Sequence, residues 1–340
     1  MKKEEIGLYD GYSSNVGLIK FIAAIMVILS HAFPLSSGSS DNEWMLWLTR
    51  GQYTMGGVAV AVFFFYSGLL VTKSFLKDPK AGKYFGGRSK RIVPPLIFVV
   101  FLSVFVLGPV VTSLSVREYF TTSGTYKYLL NSVFILVHDL PGVFTDNVYV
   151  STVNGALWTL PVETLCYVAV YIMYHCKLFR DTPMKILSGL ALLVMIAITI
   201  AGHFLSLGMI LSALLAVSMF FAGMAFYFFR NDIPMNWKGA IGAILLLLLS
   251  CFFKFMYVGM FVGFSYLLAY FGFAVRKLPR PLGAVGKISY GMYLCGFPIQ
   301  QTIVHIWGGS MNIYLNMLIS VPCAILGGFL TYQLIEKRIH

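Results

Sequence analysis

Charge is what this chain has least of. Only 11% of its 340 residues are Asp, Glu, Lys or Arg, against about 25% in a soluble domain. With 58% of the residues hydrophobic, that shortfall excludes an ordinary water-soluble fold. Cysteine is sparse: Cys166, Cys176, Cys251, Cys295 and Cys323 all lie in or beside apolar runs. They have neither metal-ligand spacing nor the look of a disulfide framework, and read as small core hydrophobes. The six histidines are scattered; His138, His175, His203, His305 and His340 take no role, and no metal site is expected. No stretch alternates as a transmembrane barrel strand does, and there is neither an internal repeat nor a low-complexity tract. What remains is an all-α, multi-pass integral membrane protein of the cell (inner or plasma) membrane, one domain over residues 1–340.

Ten apolar runs read as spans: 16–35, 56–76, 92–112, 157–175, 186–204, 209–229, 239–254, 256–275, 288–307 and 312–335. About 20 residues rising ~1.5 Å each cross a hydrocarbon core of ~30 Å. Almost nothing polar beyond Lys254 separates the seventh from the eighth. With the N-terminus inside, twenty Lys and Arg fall on cytosolic segments; four (Arg50, Arg117, Lys127 and Lys254) fall on outer ones. That bias places both termini in the cytosol. It also accounts for most of the net charge of +12 without a nucleic-acid partner. The polar start, MKKEEIGLYDGYSSN, is then cytosolic and not a cleaved signal, since a cut at SSGSS would discard the groups described next. Two connections are long: the basic, glycine-rich KDPKAGKYFGGRSKR from Lys77 to Arg91, and an outer segment from Ser113 to Ala156. Aromatic and apolar runs in the latter predict a docked re-entrant or interfacial helix.

The first span holds the ionisable groups that matter most. Lys20 and His31 are eleven residues apart, close to three helical turns, so both share one face about 16 Å apart along the axis. Ionisable groups at such depth are costly and usually face a bundle interior or a wet cavity. A snorkelling lysine and a packed histidine are the structural alternatives. Glu163, in NGALWTLPVETLCY, is the single acidic residue placed inside a span. It reaches a depth similar to His31, ~6–9 Å below the outer face. A carboxylate beside an imidazole fixes its tautomer and raises its basicity, as general-base catalysis requires; a charge pair holding the bundle together is the alternative. Arg88 and Arg91, in GGRSKRIVPP, share one helical face where the basic loop meets the third span. Their forks suit phosphate, helped by a helix N-terminus, or they are topogenic anchors. Gly56, Gly57, Ser67 and Gly68 are small enough for close helix contact. Ser289 and Tyr290, near the cytosolic face, can hydrogen-bond a ligand or another helix. Trp158, at the outer end of the fourth span, suits an aromatic belt.

At these residues the chain resembles the acyltransferase family 3 membrane proteins, which transfer short acyl groups to envelope and exopolysaccharide sugars. The likeness runs almost end to end. Lys20 with ten residues before His31 is similar to the family's basic-x10-His pattern; GGVAVAVFFFYSGLL is similar to its GVxxFFxxSGxL segment, and RSKRIVPPL to its Arg-x-x-Arg-Ile-x-Pro. NGALWTLPVE, KISYGMYLCGFPI and YQLIEKRI resemble three further motifs in the family's order. The departures are Lys20 where arginine is usual, Ala59 where an acid is common, Thr164 where a second Glu is frequent, and Gly296 in place of a histidine. The chain also ends at the tenth span, so no appended esterase-like domain is expected.

The resemblance implies a membrane O-acyltransferase that takes acetyl, or another short acyl group, from cytosolic acetyl-CoA or acyl-CoA. The acceptor would be an extracytoplasmic or lipid-linked carbohydrate. His31 would be the essential histidine, as general base or acyl relay, oriented by Glu163. Lys20, Arg88, Arg91, Ser289 and Tyr290 would line the donor path, and Asn154 and Trp158 the acceptor site. The rival reading is a proton-coupled transporter or flippase with Lys20, His31 and Glu163 as its relay. Membrane lipid is a necessary partner, nucleic acid is not, and the oligomeric state stays open, a homo-oligomer included.

Overall fold

The computed structural model describes residues 13–201 and 208–339. Lys2, Lys3, His203, His340 and the end of the expected span 186–204 lie outside the described residues. Among the described residues there is no strand, only two isolated bridges, Thr112 with Val143 and Asp139 with Thr152. Among the described residues, seven helices are long and apolar enough to cross a membrane. These are α1 (Ser14–Ser37), α2 (Met55–Lys77), α3 (Ala81–Val111), α4 (Gly155–His175), α6 (Gly208–Phe228), α8 (Met256–Ala274) and α10 (Ile313–Ile339). Three more expected runs are also helical: α5 (Asp181–Ala201), α7 (Trp237–Phe252) and α9 (Ser289–Ile306). The apolar part of α5 is Thr182–Ile198, and α7 has only 16 residues. The break after α7 falls at Lys254, whose φ of 60° reverses the chain; the Phe255 amide then bonds the Ser250 carbonyl at 2.7 Å.

Two connections differ from expectation. The basic segment is mostly helix: α3 starts at Ala81, and only residues 78–80 join it to α2. Gly82, Gly86 and Gly87 face open space, so the helix continues outward without a clash. Asp78, just beyond α2, pairs with Lys83 at 2.8 Å, and that hydrogen bond holds its carboxyl below the usual range. The outer segment forms several short helices rather than one: Val116–Thr121, Ser123–Lys127 and a 3₁₀ turn, Tyr128–Val133. Ser115 and Glu118 close a capping box on the first.

Contacts divide the chain into two units, interleaved in sequence. The first comprises the described residues up to Ala23, with Met45–Tyr84 and Val162–Gly286. Its tightest pairing is α2 against α6. A Cβ on Gly68 would lie 1.9 Å from the Phe220 carbonyl oxygen, and one on Gly223 would lie 2.0 Å from that of Phe65. Each glycine thus admits the other helix's backbone, as small residues do in membranes. Asn15 anchors the start of α1: its amide donates to the carbonyls of Phe271 and Arg276 and accepts from the Leu278 amide.

The second unit comprises Ala24–Trp44, Phe85–Pro161 and Lys287–His340. Here α3 contains a π-turn at Ser103–Leu107, in which the Gly108 amide bonds Ser103. The next residue, Pro109, has no N–H, so the helix leaves the Val104 carbonyl without a partner. The buried Tyr119 hydroxyl fills that vacancy at 2.9 Å. Gly108 makes room, since a Cβ there would lie 1.9 Å from that hydroxyl. Further along, Gln301 of α9 donates to the carbonyls of Tyr149 and Thr152, and accepts from Asn147. The outer segment is therefore docked through side chains and through the backbone, where the Val148 amide donates to the Gly309 carbonyl at 2.7 Å.

Candidate functional site

Lys20 and His31 both stand on α1, which is helical from Ser14 to Ser37. Lys20 belongs to the first unit. Its Nζ lies 5.8 Å from the ring centroid of Tyr66, within cation–π range. Tyr66 is fully buried and its hydroxyl donates to the Leu268 carbonyl at 2.8 Å, so the ring beneath the ammonium is fixed.

Glu163 also lies in the first unit. Its Oε1 accepts from Ser67 Oγ at 2.7 Å and from Tyr167 Oη at 2.5 Å. Ser67 and Tyr167 are 3.3 Å apart. Tyr84 donates to the backbone carbonyl of Tyr167 at 3.1 Å. Tyr167 stands four positions after Glu163, so one helical turn sets their contact. Two hydroxyl donors on one oxygen hold the carboxyl group in one rotamer.

His31 belongs to the second unit, where its ring meets Phe297 edge-on, with centroids 5.2 Å apart. Phe297 is buried and also meets Tyr149. A Cβ on Gly155 would lie 2.9 Å from the Phe297 ring, so the NG step of NGALW clears space for that phenylalanine. A Cβ on Gly296 would lie 3.1 Å from Ile28; the residue that departs from the family pattern thus lets α9 approach α1 one turn before His31. Gln300 Nε2 donates to the Ile28 carbonyl at 2.9 Å.

Asn154 is engaged at both ends. Its Nδ2 donates to the Leu294 carbonyl at 2.9 Å, and its Oδ1 accepts from the Ala156 amide. It caps the start of α4 and ties it to α9. Tyr293 donates to the Ala156 carbonyl at 2.6 Å and so accepts from Thr159 at 2.7 Å. Trp158, half-buried, follows in the same turn.

Arg88 is half-buried and Arg91 exposed. Because α3 starts at Ala81, Arg88 lies about two turns and Arg91 nearly three turns inside the helix, away from its N-terminal amides. The expected help from the helix terminus therefore fails, since that field fades within the first turn. Tyr290 donates to the Ile92 carbonyl of α3 at 2.9 Å. Ser289 is buried one residue earlier.

The structure thus places His31, Asn154, Trp158, Arg88, Arg91, Ser289 and Tyr290 in the second unit, and Lys20 and Glu163 in the first. Sequence reasoning missed Ser67 and Tyr167 as holders of Glu163, and Gln300 as the clamp on α1. The spacing of four between Glu163 and Tyr167 was a usable signal. Ser67 lies 96 residues from Glu163 in sequence and gave none.

Three comparisons bear on this arrangement. A family model described as an acyltransferase domain matches residues 14–335. An O-acetyl transferase of Shigella phage Sf6 is 27% identical over 338 residues, covering 94% of this chain and 93% of the relative. Nodulation protein 10 of Rhizobium leguminosarum bv. viciae is 32% identical over 167 residues, 47% of this chain and 44% of that protein. No solved structure matches.

Proposed function

The chain belongs to the acyltransferase family whose domain spans residues 14–335, and from that premise we propose that it is a membrane O-acetyltransferase acting on a carbohydrate hydroxyl. The observation that carries this reading is the likeness, over nearly all of both chains, to a phage O-acetyl transferase.

In this proposal the donor is acetyl-CoA or another short acyl-CoA, reaching the protein from the cytosol. Arg88 and Arg91 hold its phosphates as charge-assisted forks. Lys20, fixed over Tyr66, and the region of Ser289 and Tyr290 flank the path of the thioester arm. His31 takes the proton from the acceptor hydroxyl as the oxygen attacks the thioester carbonyl. The C–S bond breaks, the ester forms, and the proton passes to the departing thiolate, which leaves as free CoA. A relay, in which the acyl group rests first on His31, has the same overall balance. Glu163 is the expected partner that orients the His31 imidazole, a role that rests on the sequence pattern. The acceptor is an extracytoplasmic or lipid-linked sugar, with Trp158 as its stacking platform. Both termini face the cytosol, in the inner or plasma membrane, as the distribution of Lys and Arg supports.

Purified protein with acetyl-CoA and a thiol reagent tests the reading. CoA release that depends on added envelope glycan supports it, together with a gain of one acetyl group per modified sugar by mass. Glycan flux across vesicles with no CoA release would replace it with transport.

A further inference from the structure

The first unit holds a groove that the proposed chemistry does not use. Its volume is about 480 Å³, within the ~300–1,000 Å³ usual for ligand sites. Residues of α5, α6, α7 and α8 wall it. Apart from Ser188 and Tyr266, every lining residue is apolar. Along α6 the lining runs from Ala222 to Phe229, just past the helix end, and along α7 from Gly239 to Leu246. Seven helical steps on each wall give a length of about 10 Å. Gly242 and Val262 line the groove and are exposed, so it opens to the outside of the bundle. A Cβ on Gly242 would meet nothing within 4 Å. Because α6 and α8 are long and apolar enough to cross a membrane, that outside is lipid.

Hydrogen bonds define one end. Tyr266 Oη donates to the Pro234 carbonyl at 2.7 Å and accepts from the Asn236 amide at 3.1 Å. A Cβ on Gly239 would lie 2.1 Å from the same hydroxyl. The turn that joins α6 to α7 is therefore seated on the groove's end. It carries Arg230 and Lys238, the sequence neighbours of the lining residues Phe229 and Gly239. The Arg230 guanidinium lies 4.6 Å from the Tyr227 ring centroid and donates to the Tyr227 carbonyl at 3.1 Å. Lys238 is exposed, with Nζ 5.8 Å from the ring centroid of the equally exposed Trp237. Asp232 is the single acid between the two cations, so this end stays net positive. Basic residues beside Tyr and Trp at a helix end mark the level of lipid headgroups.

We infer that this groove binds one tail of an anionic glycerophospholipid, whose phosphate meets Arg230 and Lys238. The occupant must be apolar over about 10 Å, enter sideways from the bilayer and carry negative charge at one end. A phospholipid with an anionic headgroup meets all three conditions. A nucleotide fails the first, since its polar rings would lie against Phe and Ala with no partners. A second copy fails the third, since a chain of net charge +12 brings further positive charge to a basic end. The bound tail also backs a packed interface: Phe226 lines the groove and meets Phe65 of α2 edge-on, with centroids 5.6 Å apart. The site does not rest on the proposed acyl transfer.

Native mass spectrometry of the full chain tests this, with phosphatidylglycerol and phosphatidylcholine of equal tail length added to the detergent-solubilised protein. One phosphatidylglycerol per chain is expected to be held more tightly than phosphatidylcholine, by roughly fivefold for each cation it meets. Arg230→Gln combined with Lys238→Gln should bring the two lipids to equal affinity. Gly242→Phe places a ring in open space and should release the tightly held lipid of either kind. Equal retention of both lipids by the wild type, or unchanged retention of phosphatidylglycerol by Gly242→Phe, overturns the inference. A two-chain species that Gly242→Phe abolishes also overturns it and gives the groove to a second copy. Should Gly242→Phe fail to fold, a cryo-EM map of the wild type in phosphatidylglycerol nanodiscs decides: tubular density beside Gly242 is expected, and an empty groove ends the proposal.

Discussion

Glu163 and Tyr167 stand one turn apart on α4 and share a 2.5 Å hydrogen bond, with Ser67 of α2 donating to the same carboxylate oxygen. The carboxyl group is thereby held in one position. Tyr167→Phe and Ser67→Ala each remove one donor and leave the packing nearly intact. A hydrogen bond to a charged group is worth about 1.5–3 kcal/mol, so each change should reduce transfer by roughly one order of magnitude. Because both act through Glu163, the double variant should lose less than the product of the two. Acetyl-transfer kinetics on the three proteins measure the coupling; strictly multiplicative losses would mean that the two hydroxyls work apart.

His31→Ala should lower transfer by about 10²–10⁴-fold if the residue is a general base, and further if it carries the acyl group. The change removes a ring that packs on Phe297 and leaves only a local void, so binding of acyl-CoA should persist. Retained donor affinity with lost turnover is the expected pattern by calorimetry and rate assay. A folded, fully active variant would remove His31 from the mechanism.

Arg88→Ala and Arg91→Ala should weaken acyl-CoA binding, Arg88 the more, since it is half-buried and Arg91 exposed. The expected loss for Arg88 is on the order of tenfold or more per charged hydrogen bond removed. Titration with CoA and with a dephosphorylated analogue checks it. Equal affinity of the double variant for both would leave the two arginines as topogenic anchors.

Gly68→Val and Gly223→Val should each destabilise the first unit. Their added atoms would meet backbone oxygens at 1.9 and 2.0 Å, and neither helix backbone can yield without repacking. Overpacking of this kind costs about 1–3 kcal/mol or more. A lower Tm in detergent, restored in neither case by added donor, is the expected result.

Tyr119→Phe leaves the Val104 carbonyl of the π-turn without its partner. The expected cost is about 1–3 kcal/mol, felt as faster proteolysis of the outer segment while α3 itself stays protected. Unchanged cleavage would show that the segment is held elsewhere.

The apolar runs were legible because a membrane helix records its length directly in hydrophobicity. Lys20, His31 and Glu163 stood out for the complementary reason: polar groups inside such runs are rare and costly. What pairs them was harder to read. Gln300 and Ile28 are 272 positions apart, and no local period connects them. The start of α3 was misplaced because its first turns are basic and glycine-rich; apolarity was the signal, and a helix that runs past the apolar zone loses it. The π-turn left a trace, the Gly108–Pro109 step, which marks a missing donor but names no partner.

The shortness of α7 reaches beyond the protein. Its 16 residues rise about 24 Å, less than the ~30 Å of a typical hydrocarbon core, and the turn at Lys254 ends it abruptly. Were α7 a full span, the lipids beside it would have to compress to keep water from the exposed Phe252 and from Phe253, which follows it. Such mismatch costs fractions of a kcal/mol per Å, enough to favour short-tailed lipids at that flank. Bilayer thickness then becomes a variable of this enzyme's environment, as pH or salt is for a soluble one.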